Sequence, residues 1–104
     1  MNDAALSLLG LARRAQRLSL GFDSVCDSVR NGEAQLVITA SDISKGTLEK
    51  LLRCTESCGI EHISASFDAC RLGAALDKQV RVVSVNDSGF AKKIKLLIKG
   101  NGEE

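Results

Sequence analysis

Three arginines and one glycine near the start of the chain have the chemistry of a site for a polyanion. Arg13, Arg14 and Arg17 come at the end of a predicted amphipathic helix, and Gly21 opens a second helix after a short extended segment. The start of a helix offers unpaired backbone N–H groups and the positive end of the helix dipole, and both favour phosphate. This stretch therefore indicates contact with a nucleic-acid backbone.

Two carboxylates beside the same turn have ordinary structural explanations. Asp23 stands where it could cap the second helix by accepting a hydrogen bond from a backbone N–H. We interpret Asp27 as a solvated helix residue, and Gly21 could serve only to supply a backbone conformation. The arginines fit the solvent-facing flank of a helix as well as they fit a phosphate site. The structural and the ligand-binding interpretations both stay open at this point.

A second concentration of positive charge lies near the end of the chain. Four lysines fall on the outward face of the last predicted helix: Lys92, Lys93, Lys95 and Lys99. A charged helix face of this kind is most often simply solvated. The more specific alternative is that this helix face is a second surface that binds RNA or a ribosomal protein.

The apolar periodicity and the capping residues predict five helices alternating with four strands. Asn31-Gly32 and Gly59 supply helix ends, while Ser44, Ser66 and either Asp87 or Ser88 supply caps. In chain order the predicted elements are helix 3–16, strand 18–20, helix 22–30, strand 34–40, a helix from the Ser44 cap to residue 58, strand 62–65, helix 67–75, strand 80–86 and a final helix.

This alternation predicts an α/β fold, with helices layered on both faces of a mixed sheet. The continuous apolar run at residues 34–40 fits a strand that is covered on both faces. With 104 residues the chain is long enough to bury a core without disulfides or metal. We expect one domain, residues 1–104, built as a three-layer α/β/α sandwich on a four-stranded mixed sheet.

Composition excludes several classes of protein. The net charge of +1 is not that of a dedicated histone-like binder, so any basic surface must be local. The start of the chain lacks the pattern of a signal peptide, and no apolar run has bilayer-spanning length. We therefore expect a cytoplasmic protein with no membrane partner. Since no phosphate-binding loop or hydrolase motif is present, we expect no catalysis and no cofactor.

The four cysteines do not form the paired short spacings of a zinc site. They are Cys26, Cys54, Cys58 and Cys70, and the one histidine, His62, is distant from them in sequence. We expect no metal, and we expect the cysteines to be reduced and buried as small hydrophobic residues. A remote alternative is a redox sensor that uses Cys54 and Cys58, one helical turn apart.

Four segments resemble, in the right order, a known family of RNA-binding proteins. They are LLGLARRAQRLSLG at residues 8–21, AQLVITASDIS at 34–44, LGAALDKQVRVVSV at 72–85 and DSGFAKKI at 87–94. The resemblance is to the kink-turn-binding ribosomal protein family of the archaeal L-seven-Ae type, and especially to its small bacterial branch. It covers nearly the whole chain.

The resemblance implies a three-layer α/β/α sandwich that binds RNA containing a sharp bend flanked by sheared G·A pairs. In the family, the contact is made by a glycine turn, by the start of the following helix and by a loop that closes over an extruded nucleotide. By position, Gly21 matches the glycine, while Lys78 and Arg81 border the closing loop. Lys78 stands in a polar segment with no core role, which favours a function for it.

The glycine turn departs from the family pattern at three positions. Asp23 falls where the family has asparagine, Ser24 where it has glutamate and Asp27 where it has lysine. An ionised aspartate only accepts hydrogen bonds, and serine is too short to imitate glutamate at a guanine edge. An anion in place of a cation at ~6 Å from phosphate costs about 1–3 kcal/mol. These changes weaken the expectation of tight kink-turn recognition.

The sequence thus predicts a non-catalytic RNA-binding protein of the translation apparatus, part of a ribonucleoprotein. The expected RNA-binding residues are Arg13, Arg14, Arg17, Gly21, Asp23, Ser24, Asp27, Lys78 and Arg81. The expected partner is structured RNA, ribosomal or messenger, with ribosomal proteins as further candidates, and we expect a monomer. The alternative is a protein-interaction module that keeps the fold but has lost kink-turn recognition.

Overall fold

The computed structural model describes residues 3–99, which form five helices and four strands. In chain order these are α1 (Asp3–Arg14), β1 (Leu18–Leu20), α2 (Phe22–Arg30), β2 (Leu36–Thr39), α3 (Lys45–Cys58), β3 (His62–Ser64), α4 (Ala69–Leu76), β4 (Val82–Val85) and α5 (Ser88–Lys99).

The four strands form one mixed sheet in the order β1-β4-β2-β3. Strand β4 runs antiparallel to both of its neighbours, β1 and β2, whereas β2 and β3 are parallel. The ends of β1, β2 and β3 therefore meet the start of β4 at one edge of the sheet, which we call the site edge. The starts of β1, β2 and β3 meet the end of β4 at the opposite edge, which we call the far edge.

Alternating side chains of the sheet enter two separate cores, which gives three layers. Leu36, Ile38, Val83 and Val85 pack against α1, α4 and α5, while Val37 and Val82 pack against α2 and α3. The strands are buried throughout their length in β2 and β4 because helices cover both faces. The prediction of an α/β/α sandwich with a four-stranded mixed sheet is confirmed.

Local chemistry places several helix ends where the sequence predicts them. Helix α2 has the predicted bounds, and Ser44 caps α3 by accepting a hydrogen bond from the Thr47 N–H at 3.2 Å. Gly59 ends α3 in the left-handed conformation that glycine adopts readily. Of the two candidate caps for α5, Asp87 is the one used: its Oδ2 accepts from the Phe90 N–H at 2.9 Å.

The prediction for α4 is wrong at its start. The helix begins at Ala69 and not at residue 67, and its cap is Asp68, whose Oδ1 accepts from the Arg71 N–H at 3.0 Å, and not Ser66. Phe67 lies in the core instead, and its carbonyl accepts a hydrogen bond from the Ser41 N–H at 2.9 Å. The backbone at residue 67 is therefore held by the turn after β2.

Other predicted elements are longer than the observed ones. Helix α1 ends at Arg14 because Gln16 adopts a positive φ of 62° that turns the chain toward β1. The strands stop where their backbone groups bond to loops: the Ala34 N–H donates to Ser28 and the Ala40 N–H donates to Arg81. These differences leave the order and type of every predicted element unchanged.

Candidate functional site

The turn at Gly21 is the first component of the candidate site. Gly21 has φ 93° and ψ 159°, a conformation that side-chain-bearing residues rarely adopt, and its N–H donates to the Val82 carbonyl at 2.9 Å. It is the N-cap of α2 and has no side chain to satisfy the first N–H groups of that helix. The first turn of α2 therefore presents backbone donors at the site edge.

The expectation that Asp23 caps α2 is wrong, because Gly21 occupies the capping position. Asp23 and Ser24 lie within the first helical turn, and both are exposed. A carboxylate in the first turn interacts favourably with the helix dipole, which gives Asp23 a structural role without a capping bond. Its oxygens remain able to accept hydrogen bonds from a ligand.

Asp27 lies one turn further along α2, where it pairs with Arg30. The distance from Asp27 Oδ1 to Arg30 Nη1 is 3.3 Å, and both side chains are well exposed. An exposed ion pair of this kind contributes little to stability. The positive charge of Arg30 offsets part of the negative charge that Asp27 brings to this end of the molecule.

Loops from distant parts of the sequence meet Gly21 at the site edge. They enclose an open groove of about 470 Å³. Its lining comprises Gly21, Phe22, Asp42, Ile43, Ser44, Thr47, Gln79, Val80, Arg81 and Val82. The groove thus joins the start of α2, the turn after β2 and the loop before β4. It combines apolar side chains with amide, hydroxyl and guanidinium groups.

Asp42 ties the walls of this groove together. Its Oδ1 accepts from the Ala69 N–H at 2.9 Å, which fixes the start of α4, and its Oδ2 lies 3.7 Å from Arg81 Nε. The Arg81 carbonyl in turn accepts from the Ala40 N–H at 2.9 Å. The guanidinium of Arg81 is half-exposed, so it can reach a ligand while it stays near Asp42.

The loop before β4 is held close to α4 by a small residue. A Cβ added at Gly73 would lie 3.3 Å from the Lys78 carbonyl, and the Lys78 N–H donates to the Gly73 carbonyl at 3.3 Å. Asp77 ends α4 with a left-handed φ of 58° and turns the chain into this loop. Lys78 is exposed beside the groove without lining it.

The three predicted arginines lie away from this groove. Arg13 and Arg14 line a different groove, between α1 and α4, together with Asp77. Arg17 lies at the far edge, where its carbonyl accepts from the Asn86 N–H at 2.7 Å. Three residues of nearly extended chain lie between Arg17 and Gly21, so four residue steps place their Cα atoms about 13 Å apart. The structure therefore brings together Gly21, Asp23, Ser24 and Arg81. It places Arg13, Arg14 and Arg17 elsewhere.

Sequence reasoning missed several residues of the groove. Phe22 and Val80 carry the same apolar signal as core residues, and Ile43 is the one apolar residue in the polar segment SDIS at residues 41–44. Phe22 and Ile43 are half-buried and pack on the core between the sheet and α2 and α3. The strand order, which local sequence patterns do not show, leaves part of each of these two side chains facing the groove.

Two thiols meet behind α2, where Cys54 Sγ lies 4.0 Å from the carbonyl oxygen of Cys26. Cys26 is buried against Cys54, and burial, followed by the hydrogen bond with Cys54, raises the pKa of the Cys26 thiol to about 11. Cys58 and Cys70 are exposed, so the expectation that all four cysteines are buried is wrong for these two. Both occupy exposed positions on their helices, Cys58 at the end of α3 and Cys70 in the first turn of α4.

The part of the chain from residue 3 to residue 99 carries neither a metal-binding cluster nor a membrane-spanning helix. No three histidine, cysteine or acidic side chains in that range converge on a point where they could hold a metal ion. None of its helices combines the length and the apolar character needed to cross a bilayer.

Comparison with known proteins points to one family. The model of the ribosomal protein L7Ae/L30e/S12e/Gadd45 family matches residues 3–95. The chain is 38% identical over 90 residues to the RNA-binding protein YlxQ of Bacillus subtilis (strain 168), covering 84% of this chain and 87% of that protein. It is 32% identical over 96 residues to RNA-binding protein YlxQ of Enterococcus faecium, covering 92% of each chain.

Solved structures share the fold. A protein of unknown function from Bacillus halodurans is 40% identical and superposes with a TM-score of 0.82, covering 89% of this chain and 94% of that one. The 15.5kD RNA binding protein of Giardia lamblia is 21% identical, with a TM-score of 0.72 over 89% of this chain and 86% of its own. At that identity the likeness concerns the fold alone.

Proposed function

Because the chain belongs to the ribosomal protein L7Ae/L30e/S12e/Gadd45 family, we propose that it is a non-catalytic RNA-binding protein of the translation apparatus that recognises bent, kink-turn-like RNA. The observation that carries the proposal is the groove in which Gly21, the turn after β2 and the loop before β4 meet. Relatives named RNA-binding proteins add support for RNA as the partner.

The groove suits a single nucleotide that leaves the stack at a bend. Phe22, Ile43 and Val80 offer apolar contact for the faces of a base, while Gln79 and Ser44 offer polar groups for its edge. An unstacked base is commonly held in this way, between apolar side chains and hydrogen-bonding groups. The volume of about 470 Å³ is of the scale of small-molecule sites.

The start of α2 is assigned to the RNA next to the bend. The N–H groups of its first turn suit phosphate or acceptor atoms of the bases. Asp23 accepts hydrogen bonds from base amino or imino groups, and Ser24 both donates and accepts. The negative charge of Asp27 repels phosphate, which for an unpaired carboxylate would cost ~1–3 kcal/mol of binding free energy. The ion pair with Arg30 at 3.3 Å reduces this repulsion.

Positive charge for the RNA backbone comes from the loop before β4. Arg81 lines the groove, and Lys78 projects from the exposed stretch beside it. Arg13 and Arg14 share a second groove with Asp77, the residue that precedes Lys78, and we assign them to RNA that runs on from the bend. Contacts of this kind fix the position of the RNA but do not read its sequence.

The test is a titration of the protein against a kink-turn RNA and an unbent duplex of equal length, at 50 and 200 mM salt. We expect preferential binding to the kink-turn. Lys78→Ala and Arg81→Ala should each reduce affinity by about fivefold and lower the salt slope by about one, with Arg53→Ala on α3 as the control for charge removal.

Two results would contradict the proposal. Equal, weak binding to both RNAs would favour the alternative, a protein-interaction module that has kept the fold and lost kink-turn recognition. Unchanged affinity in both Lys78→Ala and Arg81→Ala would show that the RNA binds elsewhere on the protein.

A further inference from the structure

Positive charge is concentrated on a helix that lies away from the groove. Helix α5 has the sequence SGFAKKIKLLIK, with four lysines and no acidic residue, in a chain whose net charge is only +1. It packs on the sheet face opposite α2 and α3, together with α1 and α4. RNA seated on the start of α2 therefore does not cover the outer face of α5.

Three of the four lysines of α5 share one solvent-facing stripe, and Lys93 lies about 100° around the helix from it. Lys92, Lys95 and Lys99 repeat at helical spacing on one side, over about 10 Å of helix length. Within residues 3–99, no carboxylate lies within 4.0 Å of Lys92 or Lys93. Arg17 lies at the same far edge as the start of α5, beside Asn86.

One acidic residue holds two of these lysines at the surface. Lys95 Nζ lies 2.7 Å from Glu61 Oε1, and Lys99 Nζ lies 3.4 Å from Glu61 Oε2. The hydrogen bond from Lys95 is the main reason that the pKa of Glu61 is below its ordinary value. A single carboxylate thus gathers two ammonium groups where an external phosphate could replace it, since all three side chains are exposed to solvent.

We propose that the outer face of α5, together with Arg17 at the far edge, is a second RNA-backbone surface, separated from the Gly21 groove by the sheet. The inference rests on the proposed function, which supplies RNA as the ligand. The lysine ammonium group is a compact charge that binds phosphate without contacting bases specifically, so this surface binds RNA independently of its sequence. It lets one protein hold a bend and a second stretch of the same RNA.

The experiment measures affinity for a plain 20-base-pair RNA duplex, without a bend, as a function of salt. In Lys92→Ala/Lys93→Ala we expect the plot of log K against log salt concentration to be less steep by about two. The loss of affinity from 50 to 200 mM salt is then about 12-fold smaller than in the unchanged protein. The control Lys50→Ala/Arg53→Ala removes the same charge from α3 and should leave most of the slope intact.

Glu61→Gln provides a change of opposite sign. Removing this carboxylate frees Lys95 and Lys99 for phosphate, so the salt slope should steepen by about one and the affinity for duplex should rise. A face that is merely solvated would not respond in this way. Leu96, which is 64% exposed among the lysines, is the control for apolar docking, and Leu96→Ala should not change duplex binding.

The outcomes separate this inference from the proposed function. The preference for kink-turn over duplex in the unchanged protein reports on the groove, whereas the duplex slopes of the variants report on α5. An unchanged slope in Lys92→Ala/Lys93→Ala, or an equal change in the α3 control, would overturn the inference. A loss in Leu96→Ala as large as in the lysine variant would also overturn it, in favour of a partner that docks on an apolar centre.

Discussion

Replacing Gly21 with alanine tests how the backbone builds the site. At φ 93° and ψ 159° this residue lies in a region that is nearly restricted to glycine. A Cβ added there would meet nothing within 4 Å, so the penalty comes from the backbone conformation and not from a clash. Gly21→Ala must therefore either hold a strained backbone or move the start of α2.

The expected penalty follows from the cost of such a conformation, which is of the order of 1–3 kcal/mol. We expect the free energy of unfolding to fall by about 2 kcal/mol, which corresponds to a Tm lower by about 8–16 °C for a domain of this size. Gly59→Ala, at a left-handed φ of 71°, should cost about 1 kcal/mol.

Gly46 is the matched control. It lies in the first turn of α3 without a positive φ, and a Cβ there would also meet nothing within 4 Å. Gly46→Ala should therefore stabilise the protein by about 0.4–1 kcal/mol, because alanine restricts the unfolded chain. Urea unfolding, followed by far-ultraviolet circular dichroism, measures all three variants. A value for Gly21→Ala within 0.5 kcal/mol of that for Gly46→Ala would refute the reasoning.

Substitutions at two positions and one labelling experiment test other parts of the structure. Asp42→Ala removes the carboxylate that accepts a hydrogen bond from the Ala69 N–H at the start of α4 and should lower the free energy of unfolding by about 1–2 kcal/mol in urea. Asp42→Asn, which keeps an acceptor, should recover most of that loss. Burial lowers the pKa of His62 below its ordinary value of 6.5, so in acid the unfolded chain binds more protons than the folded protein does. The free energy of unfolding should therefore fall from pH 7.5 to pH 5. His62→Gln should make it less dependent on pH. Iodoacetamide followed by mass mapping should label exposed Cys58 and Cys70 first, and Cys26, with its pKa raised to about 11, only on unfolding. Early labelling of Cys26, or a pH profile unchanged by His62→Gln, would contradict these two expectations.

Element order could be predicted from the sequence because short-range chemistry determines it. Gly21, Ser44 and Gly59 each set a helix end through their own backbone or side-chain geometry, and α2 has its predicted bounds as a result. The α4 start could not be predicted, because Phe67 is fixed by Ser41, a residue that is 26 positions earlier and brought close by the sheet.

The candidate site was only partly predictable for the same reason. Gly21 and Arg81 meet because β1 and β4 are antiparallel neighbours, a pairing that no local pattern specifies. Arg17, only four residues before Gly21, crosses to the other edge because β1 lies between them. Asp42 carries a signal of a turn in the sequence, while its bonds to α4 and Arg81 appear only in three dimensions.

The measurement that tests the central claim most directly is the change in backbone amide NMR shifts when a kink-turn RNA is added to the protein. If the Gly21 groove binds the bend, the largest changes will fall at residues 21–24, 42–47 and 78–81, and they will be weaker with an unbent duplex. Changes confined to α5 with both RNAs, or no changes at residues 21–24, would contradict the account.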